Sequence, residues 1–134
     1  MYRKVALIVF YDRNWNILLQ NRKGISKYGE EWGYFGGGIE EGETPEETLI
    51  RETKEELGYN LKKYEYIGKV ITKDKRGTIE RYVFISPLPK MNELRQKEGA
   101  DMQLFSLEEA GKVKGIFGDD KVIQKLLSYI NKNK

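Results

Sequence analysis

Between Thr44 and Gly58 the chain marks both ends of one helix, and this stretch restricts the fold more than any other. Thr44 followed three residues on by Glu47 is a capping-box pattern, in which each side chain satisfies the other's backbone N–H. Pro45 suits the first helical position, where no N–H is needed. The helix is predicted to run to Leu57, with Gly58 supplying a left-handed stop. At about 100° per residue, Leu49, Ile50, Thr53 and Leu57 share an arc expected to face the core. Glu52, Glu55 and Glu56 share a neighbouring arc of roughly 100°. The helix is therefore expected to be moored by one side and to present three carboxylates from another.

From Glu40 to Glu56, eight glutamates stand against only Arg51 and Lys54, a local balance of −6 in a chain whose total is +3. Carboxylates that close raise one another's pKa values. A hard divalent cation relieves that repulsion, and magnesium takes oxygen ligands while leaving places for phosphate and water. The bland alternative is a solvated acidic face held by Glu47–Arg51 and Arg51–Glu55 pairs. The run Gly36-Gly37-Gly38, read as a turn entering the helix, lets backbone approach phosphate or metal closely. Together with the cap and the stop, it favours the metal.

The spacing Gly37-x5-Glu43-x7-Arg51-Glu52-Thr53-x-Glu55-Glu56-x-Gly58-Tyr59 resembles the signature of the Nudix hydrolases. Those enzymes use magnesium to cleave nucleoside diphosphates linked to another group. The resemblance implies an α+β fold, an α/β/α sandwich with a mixed sheet between helices. It places the magnesium ligands on Glu52, Glu55 and Glu56, with manganese as a substitute ion. It adds the carbonyl of Gly36 and the loop residue Glu98 to that set, although Glu98 also reads as a solvated charge. Glu52 is the expected general base. Arg51 and Glu43 are expected to pair and orient the helix. Gly37 and Gly38 are expected to lie against substrate.

Further substrate contacts follow from the same resemblance. Arg22 matches a position that meets phosphate in MutT-like members, and Asp119 one that reads a purine edge. The plain alternatives are an exposed charge for Arg22 and a helix N-cap for Asp119. Tyr34 and Phe35 are candidates to stack on a base, with core packing as the competing role. Most relatives carry Phe-Pro-Gly-Gly where this chain has Tyr34-Phe35-Gly36-Gly37, so Phe35 replaces a proline. Thr53 stands where an aliphatic residue is usual, and its methyl is expected to pack with little consequence. The expected substrate class is MutT-like, a nucleoside or deoxynucleoside triphosphate. A Nudix-like module that binds nucleotide without hydrolysis is the alternative.

Composition removes competing chemistries. The chain has no Cys and no His, so it has no thiolate nucleophile, no imidazole base and no His-based zinc site. No basic run suggests a stable nucleic-acid complex. The longest apolar run, Val5 to Tyr11, is too short to span a bilayer. The run is preceded by Tyr2-Arg3-Lys4 but lacks a small-residue cleavage site, which argues against a signal peptide. A single cytoplasmic domain over residues 1–134 is expected, monomeric or homodimeric.

Elsewhere the pattern predicts strands over Arg3–Tyr11, Asn16–Asn21, Trp32–Phe35, Lys62–Lys73, Thr78–Pro87 and Asp101–Phe105. Ser106 with Glu109 opens a short helix through a second capping box. A final helix follows Asp119, with Val122, Ile123, Leu126, Leu127 and Ile130 at helical spacing.

Overall fold

Ten residues with alternating faces form β1 (Tyr2–Tyr11), the strand around which the sheet is assembled. The computed structural model describes residues 2–25, 29–75, 77–95, 101–113 and 119–132, with only the backbone of Asp74 and Asp119. On one side β1 runs parallel to β6 (Gly77–Pro87), in register from Tyr2↔Thr78 to Tyr11↔Pro87. On the other it pairs antiparallel with β2 (Ile17–Asn21) and with β4 (Phe35–Gly38). β3 (Trp32–Gly33) and β7 (Met102–Phe105) both pair with β2, and β5 (Glu65–Asp74) pairs with β6 as the edge strand. Among the described residues the sheet is mixed and seven-stranded.

Alternation divides the core into two layers. Ala6, Ile8, Phe10, Leu18, Phe35 and Phe84 pack on one face against Leu49 and Leu57 of α1 (Pro45–Leu57). Val9, Ile17, Leu19, Val83 and Ile85 pack on the other against Val122, Ile123 and Leu126 of α3 (Asp119–Lys132). Ala110, from the one-turn α2 (Leu107–Ala110), joins the second layer. The expected α+β sandwich is therefore present, with α1 on one face and α2 and α3 on the other. Among the described residues, no helix is long and apolar enough to cross a membrane.

Three expectations need correction. The predicted strand Trp32–Phe35 breaks at Tyr34 into β3 and β4, which pair with different partners. At the break the Tyr34 carbonyl accepts a hydrogen bond from Gln20 Nε2 at 3.2 Å, so leaving the ladder strands no acceptor. The glycine run is accordingly strand and not turn: Gly36, Gly37 and Gly38 lie opposite Leu7, Ala6 and Val5. The fifth strand starts at Glu65, later than Lys62, because Leu61 turns into the core.

The buried side of α1 is also rotated from its apolar arc. Thr48, Leu49, Thr53, Glu56 and Leu57 are buried, while Ile50 is exposed. Likewise Leu127 of α3 is exposed. Thr53 is fully enclosed, and its Oγ1 has no hydrogen-bond partner among the described residues. Packing of the methyl therefore comes with an orphaned hydroxyl, a larger consequence than the sequence suggests. An unsatisfied buried polar atom costs about 1–3 kcal/mol. Thr53→Val keeps the shape and removes the hydroxyl, and helix propensity scarcely differs between the two. It is expected to raise stability by about 1 kcal/mol, read as a higher midpoint in urea with an unchanged slope. A lower midpoint would mean that Oγ1 is satisfied in solution.

Candidate active site

The helix that carries the carboxylates is fixed at both ends. Thr44 Oγ1 accepts the Glu47 N–H at 3.1 Å, and Glu47 Oε1 accepts the Thr44 N–H at 2.9 Å. Gly58 adopts φ 62° and returns its N–H to the Lys54 carbonyl. Just ahead of the cap, Glu43 grips the first turns. Its Oε1 accepts Thr48 Oγ1 at 2.7 Å and the Glu40 N–H at 3.0 Å.

Arg51 ties this framework to the acidic face. Its guanidinium meets Glu43 in two parallel bonds, Nε to Oε2 at 2.7 Å and Nη2 to Oε1 at 2.9 Å. Nη2 also donates to the Gly38 carbonyl at 3.3 Å, and Nη1 donates to Glu52 Oε1 at 3.0 Å. Glu55 Oε2 stands 3.5 Å from Nη1. The Arg51 fork holds the Glu43 carboxyl down at about 2, with help from Thr48 and the Glu40 N–H. In return Glu43, then Glu52, raises the Arg51 pKa. Both groups are therefore charged at neutral pH.

The three carboxylates occupy three different environments. The Glu55 side chain is 60% exposed and that of Glu52 only 19%. Glu56 is buried at 6%, and its Oε1 accepts the Gly36 N–H at 2.8 Å. Glu52 lies against Gly37, so closely that a Cβ there would stand 2.8 Å from Oε2 and nearer still to Oε1. Glu52 and Glu56, one turn apart on α1, thus converge on two adjacent residues of β4. At Gly37 only a residue without a side chain leaves room for Glu52.

Among the described residues no three acidic groups stand together as a ready-made chelate. Arg51 draws Glu52 and Glu55 toward itself, and Gly36 holds Glu56. The donor set nevertheless suits a hard cation: carboxylate oxygens only, two of them on the Gly36–Gly37 backbone and a third exposed one turn away. The Arg51–Glu55 pair of the solvated-face reading is present too. Glu47 is committed to the cap instead of to Arg51.

The remaining expected residues separate. Arg22 is no exposed charge: its Nε donates to Glu30 Oε2 at 3.0 Å, and its stem crosses Gly33. Phe35 has no exposed surface and Tyr34 almost none, each packed in a different core layer, so neither ring offers a face to a base as it stands. Asp119 is the first residue of α3, and its side chain lies outside the described set, as does all of Glu98. An open cleft of about 310 Å3 lies at the start of α1, lined by Lys4, Glu41, Glu43 and Tyr82 among others, away from Glu52, Glu55 and Glu56.

Among the described residues, three buried charges escaped the sequence reading: Glu30, Arg81, and Glu80, which Lys69 meets at 2.7 Å. Glu30 sits in what reads as a polar loop, and nothing local marks it. Arg81 is buried on the α3 side of β6 and donates to Thr72 Oγ1 at 2.6 Å. Its alternation with Val83 and Ile85 was the available signal.

The model of the NUDIX domain family matches residues 1–126. An 8-oxo-dGTP diphosphatase from Proteus vulgaris is 37% identical over 57 residues, which cover 42% of this chain and 51% of that protein. An RNA pyrophosphohydrolase from Marinomonas sp. (strain MWYL1) is 42% identical over 64 residues, covering 44% of this chain and 40% of that protein. The chain thus spans about half or less of the length of these relatives. The crystal structure of the MutT protein from Methanosarcina mazei Go1 has the same fold, with a TM-score of 0.80 over 99% of this chain and 96% of that chain at 18% identity. With a family match over nearly its whole length and a sheet between helices to go with it, this chain belongs to the Nudix family.

Proposed function

We propose that this chain is a single-domain, magnesium-dependent pyrophosphohydrolase acting on a nucleoside diphosphate linked to another group. Its substrates in this reading are MutT-like, nucleoside or deoxynucleoside triphosphates, with manganese able to replace magnesium. The observation that carries the proposal is the convergence of Glu52 and Glu56 on the Gly36–Gly37 backbone, with Glu55 beside them. Relatives named for diphosphatase and RNA pyrophosphohydrolase activity point to the same anhydride chemistry.

Glu52, Glu55 and Glu56 would hold the ion, with the Gly36 carbonyl and Glu98 as further ligands. When bound, the ion would neutralise phosphate oxygens and make a water more acidic. Water oxygen bonds to phosphorus while the bridging P–O bond breaks, and the leaving phosphate takes the electron pair. The water's proton passes to Glu52, the general base in this reading. Arg51, anchored on Glu43 and the Gly38 carbonyl, sets the rotation of the helix and so the position of that carboxylate. Arg22 and the backbone of Gly37 and Gly38 are the proposed phosphate contacts. Glu30 holds the Arg22 guanidinium for that role.

The second reading is nucleotide binding without turnover, favoured by the reach of Arg51 to both Glu52 and Glu55. A panel of nucleotides, with magnesium and with a chelator, separates the two. Turnover that requires the ion and rises toward alkaline pH is expected. Tight binding with no hydrolysis of any nucleotide at any pH would leave the binding module.

A further inference from the structure

Gln20, 1% exposed, lies on β2 with Gly33 of β3 opposite it on one side and Met102 of β7 on the other. Alternation from Leu18 turns its side chain toward α1, into the apolar layer of Leu18 and Phe35 that Met102 flanks. An amide in that layer has to find its partners within the protein, because bulk water does not reach it. It finds one. Nε2 donates to the Tyr34 carbonyl at 3.2 Å, and among the described residues Oε1 has no partner. One bond made against one acceptor stranded leaves little net stability, so stability does not account for a glutamine here.

Its place does. Tyr34 is the joint at which β3 ends and β4 begins, and Gly36, two residues on, donates the N–H that Glu56 Oε1 accepts at 2.8 Å. The Tyr34 and Phe35 rings are anchored in opposite core layers. That fixes the two side chains but leaves the peptide between them room to tilt. Gly33 before the joint and Gly36 and Gly37 after it add the most permissive backbone a chain can have. A hydrogen bond to the Tyr34 carbonyl removes the tilt. With it is set the direction in which the next peptide, between Phe35 and Gly36, presents its N–H.

We propose that Gln20 is a positioning residue for the carboxylate site: through the Tyr34 carbonyl it sets the Gly36 N–H, and through that N–H the Glu56 carboxylate. Its bearing on catalysis rests on the reading of Glu56 as a magnesium ligand, in which the Gly36 N–H is the partner that orients the ligand. Such outer partners are worth about 10- to 100-fold in metal affinity or activity. Gln20 stands one link further out, at the lower end of that range.

Gln20→Met keeps the length and the apolar fit but has no donor. Calorimetric titration with magnesium is expected to show about tenfold weaker affinity than wild type. Hydrogen exchange at the Gly36 amide should be faster by about the same factor, with exchange in the middle of β1 unchanged. The urea midpoint should move little, because one stranded acceptor, Oε1, is traded for another, the Tyr34 carbonyl. Gln20→Glu is the rescue, and the second variant should the first not fold. Its carboxyl is isosteric, burial keeps it protonated to higher pH than usual, and while protonated its O–H donates to the Tyr34 carbonyl. Its magnesium affinity should match wild type in mildly acid buffer and fall below it as rising pH removes the donor. Wild-type affinity and Gly36 exchange in Gln20→Met overturn the proposal, whatever happens to the urea midpoint. So does an affinity of Gln20→Glu that stays below wild type by one factor at every pH. Neither measurement needs turnover, and should the wild type bind no ion, the Gly36 exchange decides alone. A wild type that hydrolyses no nucleotide while Gln20→Met loosens Gly36 would sink the hydrolase reading and leave Gln20 in its role. Full turnover by Gln20→Met with unchanged affinity and exchange would do the reverse.

Discussion

Glu52→Gln is expected to lower kcat by about 100- to 10,000-fold, the usual contribution of a positioned base, with the melting temperature almost unchanged. The reason lies in what glutamine keeps. It has the same volume, so it fits against Gly37 where no Cβ intrudes. Its carbonyl oxygen can still accept Arg51 Nη1, the bond now made by Oε1 at 3.0 Å. Arg51 also retains its two bonds to Glu43 and its contact with the Gly38 carbonyl, so the helix keeps its orientation. What glutamine lacks is a negative charge and a basic oxygen. A loss in kcat with KM and stability preserved is the signature of an interaction made only in the transition state. Activity within a few-fold of wild type would move the base elsewhere. An equal collapse of melting temperature would make Glu52 a structural partner of Arg51 and nothing more.

The ends of α1 were legible because each is set by local chemistry, a reciprocal cap at Thr44 and Glu47 and a left-handed glycine at Gly58. Its rotation was not. Counting apolar residues points the helix at Leu49, Ile50, Thr53 and Leu57, whereas the buried arc lies roughly 60° closer to the carboxylates at 100° per residue. The partners of that arc are on another strand. β4 offers no side chain at Gly37, where the Glu52 carboxylate lies, and its Gly36 N–H holds Glu56, an arrangement that goes with Thr48 buried and Ile50 exposed.

The glycine run was misread for a related reason. Glycine disfavours strands when judged alone, and only pairing with β1 makes it one. Arg22 and Glu30 meet across a loop, and Arg81 finds Thr72 on the next strand, so neither partner is visible from the neighbours in sequence. The strands of the sheet were legible by contrast, since alternation such as Ala6, Ile8 and Phe10 against Val9 survives in the local pattern.

Alanine at Gly36 and at Gly37 is expected to fail in opposite ways. At Gly37 the backbone is ordinary for any residue, and the new Cβ meets only the end of the Glu52 side chain. That carboxylate can swing aside, so the protein should fold with a loss of about 1 kcal/mol or less, as for a substitution that disturbs little packing. Activity should nonetheless fall about 100-fold, since displacement of a catalytic group by about 1 Å is enough. Gly36 has φ 139°, a conformation that other residues rarely adopt, and its Cβ would run into the Ala6 carbonyl and stand 2.9 Å from Leu7 Cα. Those atoms belong to the backbone of β1 in the middle of the sheet and cannot step aside. Gly36→Ala is therefore expected to cost about 3 kcal/mol or more through strain and lost pairing. The Gly36 N–H that holds Glu56 would be displaced with it. Melting curves and single-turnover rates on the two variants give the comparison. If Gly37→Ala keeps full activity, the contact of Glu52 with that strand has no part in catalysis. If Gly36→Ala melts with the wild type, β4 does not lie as close to β1 as its glycines allow.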